Sequence, residues 1–375
     1  MANPEQFEGL IIIKIGTSTL TQGGLSIDQT YIADLCKQIS ALREQGRPVA
    51  IVTSGAAAAG RKRLGIAQRP TDIPTLQACA SAGQAVLTEL YATELARCGI
   101  PCGQVLLTRR DLVSREGYLN ARNTLFRLLD LGAVPVINEN DTVSVSEFNF
   151  GDNDMLGAIV AALLGASLYV ILSDVEGLYT ANPTVDSSAE LLREVESVDK
   201  RIAKMAGESG TDVGTGGMAS KIRAARAMLA AGIPLVICQG RRKNVVLDIV
   251  EGKQVGTRFA HAGDAVTHGS GRKLWIGLAE VPKGELVVDR GAARAVVERG
   301  ASLLPVGVCQ TRGSYVEGDV VRVLDGERIE IARGVVRYSS EDMERIQGLK
   351  LDIVGRFLKG KEGEPAIHRD EMLVF

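Results

Sequence analysis

The chain has 375 residues, of which 45% are hydrophobic, and it contains 43 basic and 45 acidic side chains with a net charge of −2. This length and hydrophobic content predict more than one compact domain, each with its own core. The near-neutral charge excludes a general attraction to nucleic acid or to an anionic membrane, so neither is expected as a partner.

The cysteines and histidines give no sign of a zinc site or of disulfides. Six cysteines are scattered along the chain, and the three histidines all follow residue 260. Reduced thiols in a cytoplasmic protein are therefore expected. Residues 1–9 lack the pattern of a signal peptide. Residues 155–172 are uncharged, but Gly157, Gly165 and Ser167 divide them, so a buried helix and a strand are favoured over a membrane span.

Apolar, strand-like runs alternate with amphipathic helical patterns up to about residue 259. The strands are predicted at residues 10–15, 48–53, 104–107, 134–138, 168–173 and 234–238, with helices at 27–45, 75–98 and 119–131 between them. Such alternation predicts an α/β fold with a mainly parallel sheet sandwiched by helices. Ligands of such sheets bind at the carboxyl ends of the strands.

The pattern changes after residue 260, which indicates a second domain. Residues 261–273 carry Gly, Ala and His without periodicity and are interpreted as a linker between a domain of residues 1–260 and one of residues 274–375. Short strand-like runs at 285–288, 304–309, 320–324 and 329–336 alternate with glycine turns. The second domain is therefore predicted to be small and β-rich.

One glycine-rich segment has the character of an anion site. Residues 214–221, Gly-Thr-Gly-Gly-Met-Ala-Ser-Lys, run into a helix that has Lys221 in its first turn. Free backbone N–H groups, the positive helix end and an ammonium group together suit a phosphate. The segment fits the dinucleotide pattern only formally, because no strand precedes it, and the Walker pattern is absent. A surface loop without a ligand is the alternative.

Further polar groups follow the predicted strands. Lys14 ends the first strand and, paired with Lys221, can flank a transferring phosphoryl group; a lysine that reaches solvent is the alternative. Ser54, with Gly55 and Ala56, follows the second strand as an anion site or as an ordinary helix cap. Asp141 follows the fourth strand and is a candidate for holding a substrate ammonium, with turn formation as the alternative.

Three polar residues, Asp152, Asn153 and Asp154, open the uncharged helix. Helix capping explains one of them, since acidic groups favour a helix N-terminus. Three polar side chains at the entrance of a buried helix exceed what capping requires. One is therefore expected to orient the two lysines or the Mg²⁺ that accompanies nucleotide phosphates.

Together these motifs resemble the glutamate 5-kinases of the amino-acid kinase family. The motifs are Lys14-Ile15-Gly16-Thr17-Ser18, Thr53-Ser54-Gly55-Ala56, Val136-Ile137-Asn138-Glu139-Asn140-Asp141, Gly151-Asp152-Asn153-Asp154 and Thr215-Gly216-Gly217-Met218. The C-terminal part is similar to a PUA domain. The resemblance implies ATP-dependent phosphorylation of the side-chain carboxylate of L-glutamate to L-glutamyl 5-phosphate, the first step of proline biosynthesis, with feedback inhibition by proline. Another kinase of the family, or an RNA-binding protein acting through the PUA-like domain, is the alternative.

The resemblance also implies a role for each site residue. Lys14 and Lys221 would contact the ATP phosphates, and Asp154 would organise both lysines. Ser54, Gly55, Ala56, Asp141 and Asn153 would form the glutamate site. The nucleotide would be bordered by Ser173 and Asp174 and cradled by Thr215, Gly216, Gly217, Met218, Ala219, Ser220 and Lys221, with Asp152 near the Mg²⁺. A homo-oligomer that hands its product to glutamyl-phosphate reductase is expected.

Overall fold

The computed structural model describes residues 7–24, 26–144, 153–205, 217–261, 282–358, 360, 361 and 363–375. The chain divides into two compact units, Met1–Val266 and Thr267–Phe375. The predicted linker, residues 261–273, lies outside the described residues apart from His261, so its boundaries stay a prediction.

The first unit is built on an eight-stranded sheet. Its strands are β1 (Ile11–Ile15), β2 (Val49–Val52), β3 (Cys102–Leu107), β4 (Val134–Glu139), β5 (Leu168–Ser173), β6 (Glu194–Val195), β7 (Leu235–Gln239) and β8 (Thr257–Phe259), in the order β3-β4-β2-β1-β5-β7-β8-β6. All neighbouring strands are parallel except β7 and β8. The predicted mainly parallel sheet is confirmed.

Ten helices of the first unit lie in the described part of the chain. They are α1 (Thr17–Thr21), α2 (Gln29–Glu44), α3 (Ala56–Arg63), α4 (Ile73–Arg97), α5 (Arg109–Val113), α6 (Arg115–Asp130), α7 (Asn153–Leu164), α8 (Lys200–Met205), α9 (Met218–Ala231) and α10 (Val245–Val250). Every residue of β1, β2 and β4 is buried, so both faces of the sheet are covered, as in parallel sheets generally.

Helices α3 and α4 cross with their backbones in close contact. A Cβ atom on Gly60 would lie 1.7 Å from the carbonyl oxygen of Cys79, and one on Gly83 would lie 1.9 Å from that of Ala56. Only glycine permits such an approach. The contact fixes the first turn of α3, directly after β2, against the middle of α4.

The uncharged stretch near residue 155 folds as predicted, into a helix, a break and a strand. Helix α7 ends at Leu164, Gly165 has a φ of +63°, and β5 begins at Leu168. Within the described part of the chain, no helix combines the length and the apolar character needed to cross a membrane.

The second unit is β-rich, as predicted. Its sheet has the order β10-β9-β11-β12-β13, with β9 (Gly284–Val288), β10 (Val308–Gly313), β11 (Val320–Leu324), β12 (Glu330–Val336) and β13 (Ile367–Val374), and α11 (Arg290–Arg299), α12 (Ser340–Ile346) and α13 (Leu351–Phe357) complete it. The strand predicted at 304–309 is placed too early, since only Val308 and Cys309 of that range belong to β10. Pro305 opens a 3₁₀ turn that ends at Gly307, and β10 starts only after it, because proline has no N–H for a sheet.

Candidate active site

The order of the strands brings distant parts of the sequence to one edge of the sheet. Strand β1 lies between β2 and β5, so the carboxyl ends of these three strands are adjacent. Lys14 lies at the end of β1, Ser54 follows β2, and Ser173 ends β5. Three of the predicted site residues therefore lie at the carboxyl ends of neighbouring strands.

The centre of this edge is a buried carboxylate held between two ammonium groups. Lys14 Nζ lies 2.5 Å from Asp154 Oδ1, and Lys221 Nζ lies 3.2 Å from Asp154 Oδ2. The side chain of Asp154 is fully buried, and those of Lys14 and Lys221 are 5% and 11% exposed. The structure thus brings together the three residues predicted to be catalytic.

The charges of this cluster explain why it can remain ionised out of water. Burial alone would raise the pKa of Asp154, but the ammonium groups of Lys14 and Lys221 outweigh it and hold that pKa below its ordinary value. Two cations on one anion leave the cluster with an excess of positive charge. Such an excess attracts an anionic ligand.

A contact from strand β5, which sequence reasoning missed, holds the backbone of Asp154. The hydroxyl of Tyr169 on β5 donates to the backbone carbonyl of Asp154 at 2.7 Å. A Cβ atom on Gly157 would lie 2.2 Å from that hydroxyl, so only glycine leaves room for the bond. The sequence indicates Gly157 only as a break in the uncharged stretch.

Lys221 is held from its own helix as well. Gly217, with a φ of +88°, precedes α9, and its carbonyl accepts a hydrogen bond from Lys221 Nζ at 3.4 Å. Met218 and Ala219 are half-buried and Ser220 is buried at the start of the helix. Thr215 and Gly216 lie outside the described residues, so their predicted contacts with a nucleotide stay a prediction.

A second cluster lies beside the first and consists of amides and a hydroxyl. The Nδ2 group of Asn153 contacts the carbonyl oxygen of Thr53 at 2.5 Å, Ser54 Oγ at 3.1 Å and Asn138 Oδ1 at 2.7 Å. The structure therefore joins Ser54 and Asn153, two predicted substrate residues. Asn138 was not predicted to have a role, although it belongs to the polar exit of β4.

Asp141 lines a cavity of about 230 Å³ together with Gln84 and Glu139. Burial raises the pKa of the half-buried Asp141. Gln84 accepts a hydrogen bond from Asn138 Nδ2 at 2.8 Å, which connects this cavity to the cluster around Asn153. Gly55, with a φ of +92°, and Ala56 begin α3 next to Ser54.

The predicted nucleotide border contains one buried and one exposed residue. Ser173 is buried and donates its hydroxyl to Asp174 Oδ1 at 3.0 Å, whereas Asp174 is exposed. The carbonyl of Ser173 accepts a hydrogen bond from the backbone N–H of Gly240 at 2.8 Å, which ties β5 to the exit of β7. The predicted contact of Ser173 and Asp174 with a nucleotide stays a prediction.

The side chains near the cluster show which residues could bind the predicted Mg²⁺. Among the residues that the structure describes, no three His, Cys, Asp or Glu side chains group closely enough to hold a metal ion. Mg²⁺ is typically bound by one or two carboxylates together with substrate phosphates and water, so a protein cage is not required. Both oxygens of Asp154 already contact ammonium groups, and Asp152 lies outside the described residues.

Comparison with known proteins identifies the family. Residues 9–239 match the amino acid kinase family, a stretch that contains Lys14, Asp154 and Lys221. The chain belongs to the amino acid kinase family. It is therefore a kinase, as predicted, and residues 284–358 match the PUA domain, so the predicted second domain is also confirmed.

Two relatives that align with nearly the whole chain are glutamate 5-kinases. Glutamate 5-kinase from Vibrio vulnificus is 44% identical over 97% of this chain and 95% of its own length. Glutamate 5-kinase from Thermus thermophilus is 46% identical over 96% of each chain. Among solved structures, the UMP kinase from Bacillus anthracis is similar with a TM-score of 0.48, at 16% identity over 68% of this chain and 97% of that one.

Proposed function

We propose that the protein transfers the γ-phosphoryl group of ATP to the side-chain carboxylate of L-glutamate, giving ADP and L-glutamyl 5-phosphate. The observation that carries this proposal is the buried Asp154 carboxylate between Lys14 and Lys221. The choice of glutamate as acceptor is supported by the glutamate 5-kinases that align with almost the whole chain.

The two lysines supply the charge that phosphoryl transfer needs. In the transition state negative charge spreads over the oxygens of the transferred group, and catalysis consists mainly of alignment and charge neutralisation. Asp154 holds Lys14 and Lys221 in place before the substrates bind. Because the ammonium groups are already oriented, little reorganisation is required during the reaction.

The acceptor needs no general base. The side-chain carboxylate of glutamate has an ordinary pKa near about 4.3, so it is ionised at neutral pH. This agrees with a first domain whose residues 1–260 contain no histidine. We assign Asp141 and Asn153 to the substrate ammonium, and Ser54, with the amides of Gly55 and Ala56 at the start of α3, to the rest of glutamate.

For the nucleotide, we assign residues 215–221 to the phosphates and Ser173 and Asp174 to its border. Mg²⁺, when bound with ATP, would neutralise further phosphate charge, and Asp152 is the side chain proposed to lie near it. Lys221 belongs both to the phosphate-binding segment and to the lysine and aspartate cluster, because it lies in the first turn of α9 and also contacts Asp154.

A coupled assay of ADP release tests the acceptor directly. L-glutamate, L-aspartate, N-acetyl-L-glutamate and UMP are compared at equal concentrations with ATP and Mg²⁺, and hydroxylamine is added to trap an acyl phosphate as a hydroxamate. Turnover is expected with L-glutamate alone, together with hydroxamate formation. Faster turnover with any of the other acceptors would overturn the proposal.

We further propose that this reaction begins proline biosynthesis and that proline inhibits it by competing for the cavity at Asp141. The cavity is about 230 Å³, and the acidic residues Glu139 and Asp141 are among those that line it, which suits the ammonium of an amino acid. Initial rates are measured with proline at several glutamate concentrations. KM values of enzymes typically reach about 1 mM, so proline is tested up to that concentration. An unchanged initial rate there would contradict inhibition by proline.

Two proposals concern partners. The acyl phosphate product is labile in water, so we propose direct handover to glutamyl-phosphate reductase, and equal rates of product escape with and without that enzyme would contradict it. We also propose a homo-oligomer, which light scattering of the purified chain tests. A cytoplasmic location stays a prediction from the cysteine content.

A further inference from the structure

Gln84 belongs to none of the sequence motifs, yet it is buried next to the proposed substrate site. It lies in the middle of α4, directly after Gly83, and its residue exposure is only 8%. A buried side-chain amide is costly unless its donors and acceptors are satisfied. The hydrogen bonds of Gln84 therefore indicate why this helix carries a polar residue here.

Gln84 is part of a chain of side-chain amides. Its Nε2 donates to Thr88 Oγ1 at 3.1 Å, and its Oε1 accepts from Asn138 Nδ2 at 2.8 Å. Asn138 Oδ1 in turn accepts from Asn153 Nδ2 at 2.7 Å, and that group also contacts Ser54 Oγ. Each side chain therefore donates to the next one in the same direction. The series runs from Asn153 through Asn138 and Gln84 to Thr88.

Two backbone groups fix the orientation of these amides. The N–H of Glu139 can only donate, and it lies 2.9 Å from Asn138 Oδ1, so that atom must be an oxygen. The carbonyl of Thr53 can only accept, so the Asn153 atom that faces it must be the NH₂ group. The NH₂ group of Asn138 is consequently directed to residue 84, which must present an acceptor.

We propose that Gln84 is a positioning residue for the amino-acid substrate, which rests on the function proposed above. Its carbonyl oxygen holds Asn138, and Asn138 holds Asn153 against the loop after β2. In this orientation the NH₂ group of Asn153 is used by protein acceptors. Its carbonyl oxygen is then the atom that can accept a hydrogen bond from the substrate ammonium, in addition to the carboxylate of Asp141.

Substitutions at position 84 distinguish the role of the acceptor oxygen from the role of side-chain size. Gln84→Leu removes the oxygen at similar size, and Gln84→Glu retains an oxygen for Asn138. We expect Gln84→Leu to raise the KM for L-glutamate about tenfold, the factor that corresponds to one hydrogen bond. The KM for ATP should stay within about twofold, and Gln84→Glu should restore most of the glutamate affinity, because it retains that bond.

The matched control is Gln38→Leu. Gln38 Oε1 also accepts a hydrogen bond, from the backbone N–H of Val246 at 3.0 Å, but this bond connects α2 to α10 and involves none of the site residues that the structure describes. A purely structural role of Gln84 would lower the active fraction without a selective change in the KM for glutamate. If Gln84→Leu does not fold by circular dichroism, Gln84→Met takes its place.

The outcomes distinguish this inference from the proposed function. Folded Gln84→Leu with an unchanged KM for L-glutamate, or an equal rise in both KM values, or no recovery in Gln84→Glu, would overturn the inference. If the wild-type chain does not turn over L-glutamate, the proposed function has failed instead. A crystal structure of Gln84→Leu then decides the inference alone: Asn138 and Asn153 amides in the wild-type orientation overturn it, and reoriented amides support it.

Discussion

Replacement of Lys221 by methionine should separate the chemical role of the second ammonium from its structural role. Lys221 Nζ lies 3.2 Å from the buried carboxylate of Asp154, and methionine retains most of the apolar stem without the charge. Loss of one preoriented electrostatic stabiliser typically lowers kcat by about 10²- to 10³-fold, or about 2.7–4 kcal/mol. We expect a decrease of that size in kcat for L-glutamate phosphorylation.

The stability of Lys221→Met should change less than its activity. Lys14 still contacts Asp154 at 2.5 Å, so the variant keeps a cation on the buried carboxylate. Removal of the whole counter-charge of a buried ion costs about 3–5 kcal/mol. The single charged hydrogen bond that is lost here is worth about 1.5–3 kcal/mol. The variant is therefore expected to fold and to be assayable at moderate temperature.

The assay is the initial rate of ADP release with ATP and L-glutamate varied in turn. Lys253→Met is the matched control, because Lys253 also contacts two carboxylates, Asp248 at 2.7 Å and Glu251 at 2.8 Å, but is 55% exposed. Such surface pairs contribute little, so its kcat should not change. Folded Lys221→Met with a kcat within about threefold of wild type, or with only a higher KM for ATP, would refute the transition-state role.

Three further substitutions are informative. Asp154→Asn should lower the free energy of unfolding near neutral pH by about 3–5 kcal/mol. The pKa of Asp154 is lowered in the folded protein, so the stability difference between wild type and Asp154→Asn should shrink as pH falls below 3.8, the ordinary pKa of an aspartate. Denaturant midpoints of the two proteins that differ by the same amount at every pH would contradict this. Asp141→Asn should raise the KM for L-glutamate about 10- to 100-fold through a lost charged hydrogen bond, with an unchanged KM for ATP; equal KM values for glutamate would remove Asp141 from the site. Gly83→Ala should lower the thermal midpoint by overpacking against Ala56, whereas Gly326→Ala, which points into open space, should not, and equal midpoints would count against the α3–α4 contact.

Much of the sheet could be predicted from the sequence, because buried parallel strands are continuous apolar runs. The predicted strands of the first domain correspond to β1–β5 and β7. Strands β6 and β8 were missed, since their two and three residues are too short for a periodic pattern. The neighbours of each strand, such as β1 beside β5, follow from tertiary packing and could not be read from local pattern.

The predicted site residues differ in how visible they are in the sequence. Lys14, Asp154 and Lys221 stand out because each interrupts or opens an apolar element. Gln84 has no such signal, since a glutamine in a long helix is typical of a solvated surface. Its importance depends on Asn138, 54 residues later, and only the three-dimensional structure brings the two together.

The long sequence separations within the lysine and aspartate cluster have a consequence for synthesis on the ribosome. Lys14 emerges early in translation, but its counter-ion follows roughly 140 residues later, a delay on the order of ten seconds at ordinary elongation rates. Lys221 is a further 67 residues away. During this interval the ammonium group of Lys14 lacks the carboxylate that accompanies it in the buried cluster. The central strand therefore cannot reach its final burial until most of the first domain has been made.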